Sequence, residues 1–236
     1  MTIDLKENMK PSKFDGMKAL VDKLGEGNFI RLVVENSYFF DENIVAKRLK
    51  ELKEMKTIPA RKTTKNKEQS DYYHKNDGDQ FYYCDGDNTR ILINIDYDGN
   101  KEVRRLIKQY TGYSIGAGKT SDFQNYIISH IWGRAFDPRY FTSFWNIVLV
   151  PAWANSLLDK KNPSKGSLPS KLQSTIKKIC HKLYQNVDKK MVDCEPEMLF
   201  DKNDVVPGTY HVRVLQTKEN NERKAPRTKD INITTK

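Results

Sequence analysis

Residues 122–160 read DFQNYIISHIWGRAFDPRYFTSFWNIVLVPAWANSLLDK, and Lys161 follows. Asn125 to Ile131 is rich in the aromatic and β-branched residues that suit a pleated, half-buried strand, and His130 stands near its end. The apolar run Asn146 to Val150 predicts a second strand. Pro151 has a fixed φ and lacks the N–H that a first helical turn leaves unpaired. A helix is therefore expected from there to about Lys160, with Asn155 on it. The order is strand, loop, strand, helix. His130 and Asn146 are 16 positions apart, and Asn146 and Asn155 are 9 apart. Phe141, Phe144, Trp145, Trp153 and Leu157 supply the apolar bulk to hold these elements together.

Upstream, Phe81 to Cys84 and Arg90 to Ile95 flank the turn residues Asp85-Gly86-Asp87-Asn88, which predicts a hairpin. Behind Asp98-Gly99-Asn100, Val103, Leu106, Ile107 and Tyr110 recur at helical spacing. Met17, Leu20, Val21 and Leu24 mark an earlier helix, closed by Gly25 and Gly27. Phe29 to Phe40 fits either a buried strand or a second helix. Asp41 is a fair N-cap for a helix that carries Ile44, Val45, Leu49 and Leu52, with a basic opposite face of Lys47, Arg48, Lys50, Lys53 and Lys56. Residues 57–79 read as a polar, basic connector that includes Arg61 and Lys62.

Downstream, 162–170 reads as a Pro/Ser/Gly linker and Leu172 to Leu183 as a basic amphipathic helix. Val205 to Leu215 includes a strand, and the polar residues after Thr217 read as a disordered tail. The expected class is α+β. The expected organisation is a mainly helical, basic DNA-binding region at 1–79, the hairpin and the strand–loop–strand–helix unit at 80–162, a helix and strand at 163–216, and a tail at 217–236.

The chain has 236 residues, with 41 Lys and Arg against 31 Asp and Glu, a formal net charge of +10. Such a charge favours a polyanionic partner, most simply nucleic acid. An aromatic content of 11% sets it apart from disordered chains, which cannot bury enough apolar surface to fold. The longest apolar stretches fall well short of the roughly 20 residues that a membrane helix needs. Met1 to Lys10 is charged and shows no apolar signal-peptide core. The three cysteines, Cys84, Cys180 and Cys194, form no close pair, so neither a disulfide framework nor a cysteine zinc site is expected. A cytoplasmic location follows as the expectation.

Three stretches imitate known chemistry. Ser114-Ile115-Gly116-Ala117-Gly118-Lys119-Thr120 lacks the leading glycine of a phosphate-binding loop, because Tyr113 stands where it is needed. Asp85-Gly86-Asp87 and Asp96-Tyr97-Asp98-Gly99 lack the ligand spacing of a calcium loop and read as turns. Glu51-Leu52-Lys53 and Glu54-Met55-Lys56 have the spacing of a nuclease E-x-K pair, but they lie in a helical run, where they are surface charges.

The unit at 122–161 resembles the HNH endonucleases, the ββα-metal nucleases. The likeness rests on His130, on Asn146-Ile147-Val148-Leu149-Val150-Pro151, on Asn155 and on Asp159-Lys160, about 40 residues of the chain. It implies that His130 is the general base, that Asn146 ties down the loop between the strands, and that Asn155 helps hold one Mg²⁺ or Mn²⁺. One departure stands out. Ser129 precedes the base where many members carry a ligand, and a serine hydroxyl alone is a poor one. Asp137, Asp159 and Asp122 are the carboxylates that could replace it.

Arg134, Arg139, Lys160 and Lys161, with Arg61 and Lys62 of the connector, are candidate phosphate contacts. The resemblance implies double-stranded DNA as substrate and partner, in the manner of a type II restriction or phage-defence nuclease. Two-strand cutting from one site per chain implies a homodimer. A non-catalytic DNA- or RNA-binding protein with a degenerate core of this kind is the alternative.

Overall fold

The computed structural model describes residues 16–62, 73–75, 80–84, 90–116, 118–187 and 201–234. It is a mixed α+β structure with two sheets. The stretch that fits either strand or helix divides into both. Phe29, Ile30, Val33 and Val34 repeat every three or four residues, which is a helical stripe, and all four are fully buried in α2 (Glu26–Glu35). A preceding helix, α1 (Gly16–Leu24), is separated from α2 only by Gly25, at φ +78°; Gly27, expected to help close α1, lies inside α2. After the turn at Ser37 the chain extends as β1 (Tyr38–Phe40). Asp41 then caps α3 (Glu42–Glu54), accepting a hydrogen bond from Asn43 N at 3.0 Å.

Residues expected as a connector begin with a strand instead. In β2 (Thr57–Arg61), Ile58 and Ala60 alternate inward against Leu52 and Tyr73. The strand runs parallel to β5 (Arg90–Asp96), with Thr57 opposite Leu92. With β3 (His74–Lys75) and β4 (Phe81–Cys84) they form a sheet of order β2-β5-β4-β3. The expected hairpin is present as the antiparallel β4–β5 pair; its turn, 85–89, lies outside the described residues. Asp96 and its neighbours form a turn that starts a helix. One Asp96 carboxylate oxygen accepts from Asp98 N at 3.0 Å and the other from Glu102 N at 2.8 Å, at the start of α4 (Lys101–Thr111). The segment that imitates a phosphate loop leads through turns into a strand, so it lacks the following helix that a phosphate cradle needs.

The larger sheet has the order β6-β7-β1-β8-β9. In it, β6 (Tyr126–His130) pairs antiparallel with β7 (Ile147–Pro151), and His130 lies opposite Ile147. All five residues of β7 are buried. Its Ile-Val-Leu-Val run has both faces covered, and each such side chain stabilises the fold by roughly 1.5–3 kcal/mol. Between the two strands lies the short helix α5 (Pro138–Phe141). After β7 the chain turns through a 3₁₀ segment at Ala152–Ala154 into the short helix α6 (Asn155–Leu158). The helix expected to begin at Pro151 is thus later and shorter, because Pro151 still belongs to the strand.

Helix α7 (Leu168–Leu183) begins within the expected linker, capped by Ser167. The strand β8 (Gly208–Leu215) follows where it was expected. The polar tail does not behave as expected: it contains β9 (Arg227–Ile233), paired along its length with β8 and burying Ile231 and Ile233. Each of the four stretches into which the sequence divides therefore contributes to this one sheet. A continuous apolar core runs from Phe29 to Ile233. Among the described residues no helix is long and apolar enough to cross a membrane.

Candidate functional site

His130 closes β6 and forms part of the wall of a cleft of about 790 Å³. The loop that follows it, 131–136, the segment 158–163 with Lys165, and α7 contribute most of the rest of the wall. Burial disfavours the charged imidazole and pushes its pKa down to about 4, against smaller opposing effects from the Phe141 carbonyl and Asp159. The ring is therefore neutral at physiological pH. Nε2 lies 3.0 Å from the Phe141 carbonyl oxygen. A carbonyl only accepts, so the proton sits on Nε2 and Nδ1 keeps its lone pair.

Asn146 is fully buried behind the same loop. Its Oδ1 accepts from Trp132 N at 2.9 Å, and its Nδ2 donates to Gly133 O and Tyr140 O, each at 3.2 Å. Its backbone carbonyl accepts from Ile131 N at 2.8 Å. The side chain thus joins the end of β6 to α5, and the loop turns tightly around it. Gly133 and Arg134 both have positive φ, +67° and +49°. A positive φ is costly for arginine, and the Asn146 latch helps maintain the turn that imposes it.

The carboxylate candidates separate sharply. Asp159 lines the cleft and accepts from Asn155 Nδ2 at 2.6 Å. Asp137, by contrast, is fully buried as the N-cap of α5, and its oxygens accept from Arg139 N at 3.0 Å and Arg139 Nη2 at 2.8 Å. That carboxylate is a structural cap and not a metal ligand. Ser129 is 4% exposed and is not among the residues that line the cleft, although its strand neighbours Ile127, Ile128 and His130 are. It too is corrected from ligand to core residue. Asp122 is held by Ser114 N at 2.8 Å and by Arg223, which keep its pKa low and tie it to the far end of the chain.

The cationic candidates divide in the same way. Arg61, Arg134, Lys160 and Lys161 all line the cleft. Arg61 packs over the Phe136 ring, and Arg134 donates to Tyr140 Oη at 2.9 Å. Lys62 lies outside, over the Tyr97 ring at 4.8 Å. Arg139 is engaged with Asp137 and packs over Tyr83, joining α5 to the smaller sheet, so it is not a cleft contact.

Sequence reading missed the opposite wall. Ser170, Gln173, Ser174 and Lys177 of α7 all face the cleft. Their i, i+3, i+4, i+7 spacing is a polar helical stripe that could have been read directly. Burial lowers the pKa of Lys177. Arg48, expected on the basic solvent face of α3, is instead 2% exposed.

Two polar atoms here are buried without a partner among the described residues, Asn155 Oδ1 and Trp132 Nε1. Asn155 must turn its Nδ2 toward the Asp159 carboxylate, so the unpaired atom is an oxygen. Asn155 does not itself line the cleft; its orphan oxygen lies on a side chain bonded to the cleft carboxylate Asp159, and oxygen donors of these two types suit a hard divalent cation. Among the described residues no group of three or more His, Cys, Asp and Glu could hold a metal ion. An ion at this position would therefore rely on one carboxylate, one amide oxygen, water and substrate oxygens, which is an arrangement Mg²⁺ tolerates.

The fold and cleft define an α+β protein with a neutral histidine in a predominantly basic cleft. The chain matches the family described as "Uncharacterised protein PM1201" over residues 40–234, and it belongs to that family. Every residue lining the cleft falls within the match, whereas α1 and α2 precede it. A relative from Pasteurella multocida (strain Pm70), also named as uncharacterized protein PM1201, is 28% identical over 97 residues. That alignment covers 40% of this chain and 40% of the relative. No solved structure matches the chain.

Proposed function

We propose that this protein is a metal-dependent endonuclease that hydrolyses DNA phosphodiester bonds, with the HNH-like unit at 122–161 as its catalytic core. The observation that carries the reading is His130, neutral, fixed with Nδ1 unprotonated, and set in a cleft walled by Arg61, Arg134, Lys160 and Lys161. A neutral imidazole with a free lone pair is in the protonation state that a general base needs at pH 7, although burial makes it a weak base. The water oxygen then attacks phosphorus, and the bond to the 3′ oxygen breaks. The surrounding guanidinium and ammonium groups hold the phosphates and oppose the growing negative charge. Asn146 supports the step indirectly by holding the loop that follows the base. Asp159 and Asn155 are the residues that would hold a divalent ion, whose chemistry is to neutralise the scissile phosphate and stabilise the departing oxygen.

A type II restriction or phage-defence role suits a chain that pairs such a unit with a second, separate sheet. Because the chain carries one such unit, two-strand cleavage requires two copies, and a homodimer is part of the proposal. The second reading is a DNA- or RNA-binding protein that does not cut. It is favoured by the placement of Ser129 and Asp137 in the core, which leaves few ligands for a metal.

Incubation of purified protein with plasmid DNA in Mg²⁺, Mn²⁺ or EDTA, beside His130→Ala, tests the proposal. Metal-dependent cutting that disappears in His130→Ala supports the nuclease. Salt-sensitive DNA binding without cutting in any metal overturns it in favour of the second reading.

A further inference from the structure

The segment 140–143 presents three of its carbonyls to His130 and Asn146. The Tyr140 carbonyl accepts from Asn146 Nδ2, that of Phe141 from His130 Nε2, and that of Ser143 from Asn146 N. The tautomer of His130 therefore depends on where the Phe141 carbonyl stands. Four residues make up α5, which leaves its last turn with few backbone bonds to hold it. The next residue, Thr142, is fully buried, and its Oγ1 accepts from Arg48 Nη2 at 2.7 Å. Arg48 stands on α3, which contacts the 144–146 turn.

A buried guanidinium is costly unless its charge and its donors are met. Glu51 lies 3.3 Å from Nη1, one turn along α3, and Tyr110 donates to the same Glu51 oxygen from α4. Arg48 Nε finds no acceptor among the described residues. A mere strut could be built from apolar side chains at lower desolvation cost. Here a charged group, with one donor left unmet, is directed at the residue that follows Phe141.

We propose that Arg48, backed by Glu51 and Tyr110, is a positioning residue. Its bond to Thr142 holds the Phe141 carbonyl in place and thereby keeps the His130 proton on Nε2 and the lone pair on Nδ1. The catalytic meaning of this role rests on His130 being the base. The role itself is read from the imidazole, whether or not the protein cuts nucleic acid.

The experiment is ¹⁵N-edited NMR of histidine-labelled full-length protein at pH 7.5, which distinguishes the two neutral tautomers. The wild type is expected to show His130 as the Nε2–H form. Thr142→Val keeps the shape and removes the acceptor, and Arg48→Met keeps the length and removes the donors. Each is expected to shift the tautomer ratio about tenfold toward Nδ1–H, the scale of one weakened hydrogen bond. Thr142→Ser retains a hydroxyl and is expected to restore the wild-type ratio. An unchanged ratio in folded Thr142→Val overturns the proposal, even if Arg48→Met fails to fold. A wild type that lacks the Nε2–H form overturns it too. Failure of the wild type to cut DNA would instead count against the nuclease reading and leave the tautomer result to decide the role of Arg48.

Discussion

The side-chain oxygen of Asn146 accepts a hydrogen bond from the backbone N–H of Trp132 at 2.9 Å, across a gap of 14 residues. This bond joins the residue that opens β7 to the loop that leaves His130. The same side chain donates twice, so its three hydrogen-bond partners are all backbone groups, of which the Tyr140 carbonyl is the buried one.

Asn146→Ala would leave Tyr140 O unpaired in the interior and remove the partner of Trp132 N and Gly133 O at the loop. The expected loss is about 1–3 kcal/mol of unfolding free energy, from one buried carbonyl left without a partner and a loop that loses two of its ties. Asn146→Asp keeps the size but replaces the donating amide with a buried negative charge facing two carbonyls, and it is expected to cost at least as much. Urea unfolding followed by circular dichroism measures both, and a loss below about 1 kcal/mol in either would contradict the latch.

The depressed pKa of His130 has a definite consequence for stability. The unfolded chain takes up the proton near pH 6.5, and the folded chain resists until about pH 4. Between those values the unfolded state holds more protons, so stability falls as pH falls through this window. The full effect is on the order of 3 kcal/mol and levels off below pH 4. His130→Asn, which cannot titrate, is expected to lose this part of the acid sensitivity. Thermal unfolding at pH 7.0 and 4.5 compares the two proteins; parallel losses in both would refute the assignment.

Lys160 and Lys161 are exposed on the cleft rim. Replacing both with Ala is expected to change folding stability by no more than about 0.5 kcal/mol. If each neutralises a phosphate, the slope of log affinity against log salt should fall by roughly 0.9 for each lysine removed, and to the same extent for every DNA sequence. Fluorescence anisotropy at several salt concentrations reads the slope, and an unaltered slope would remove these lysines from the interface.

A chain ending at Pro226 lacks β9. It leaves β8 as an open edge and strips away Ile231 and Ile233, which are 5% and 2% exposed. Each isoleucine stabilises the fold by roughly 1.5–3 kcal/mol, and the bare edge invites strand-to-strand association. The truncated protein is expected to be less stable and to aggregate. A soluble, equally stable truncation would show that β9 is dispensable.

The elements that the sequence determined by itself are those whose signal is local. Ile147 to Val150 is an unbroken apolar run between Asn146 and Pro151, and it could hardly be other than a buried strand. Lys101 to Thr111 carries its apolar stripe within eleven residues, and a closing glycine follows directly. The order His130, Asn146, Asn155 was equally legible, and the structure brings Asn146 behind the His130 loop through bonds that Asn is suited to make.

Tertiary structure decided the rest. Thr57–Arg61 and Arg227–Ile233 are polar enough to read as connector and tail. They are strands because β5 and β8 supply hydrogen-bond partners from other parts of the chain. Asp137 and Asp159 are the same residue type within one motif, yet one caps a buried helix and the other lines the cleft. Arg48 reads as surface charge along the sequence, but it is bonded to Thr142 just after α5 and to Glu51, which Tyr110 of α4 bonds in turn. The physical reason is common to all three. A side chain's hydrogen bonds and burial are set by what packs against it, and most of those neighbours are brought there by the fold rather than by adjacency along the chain.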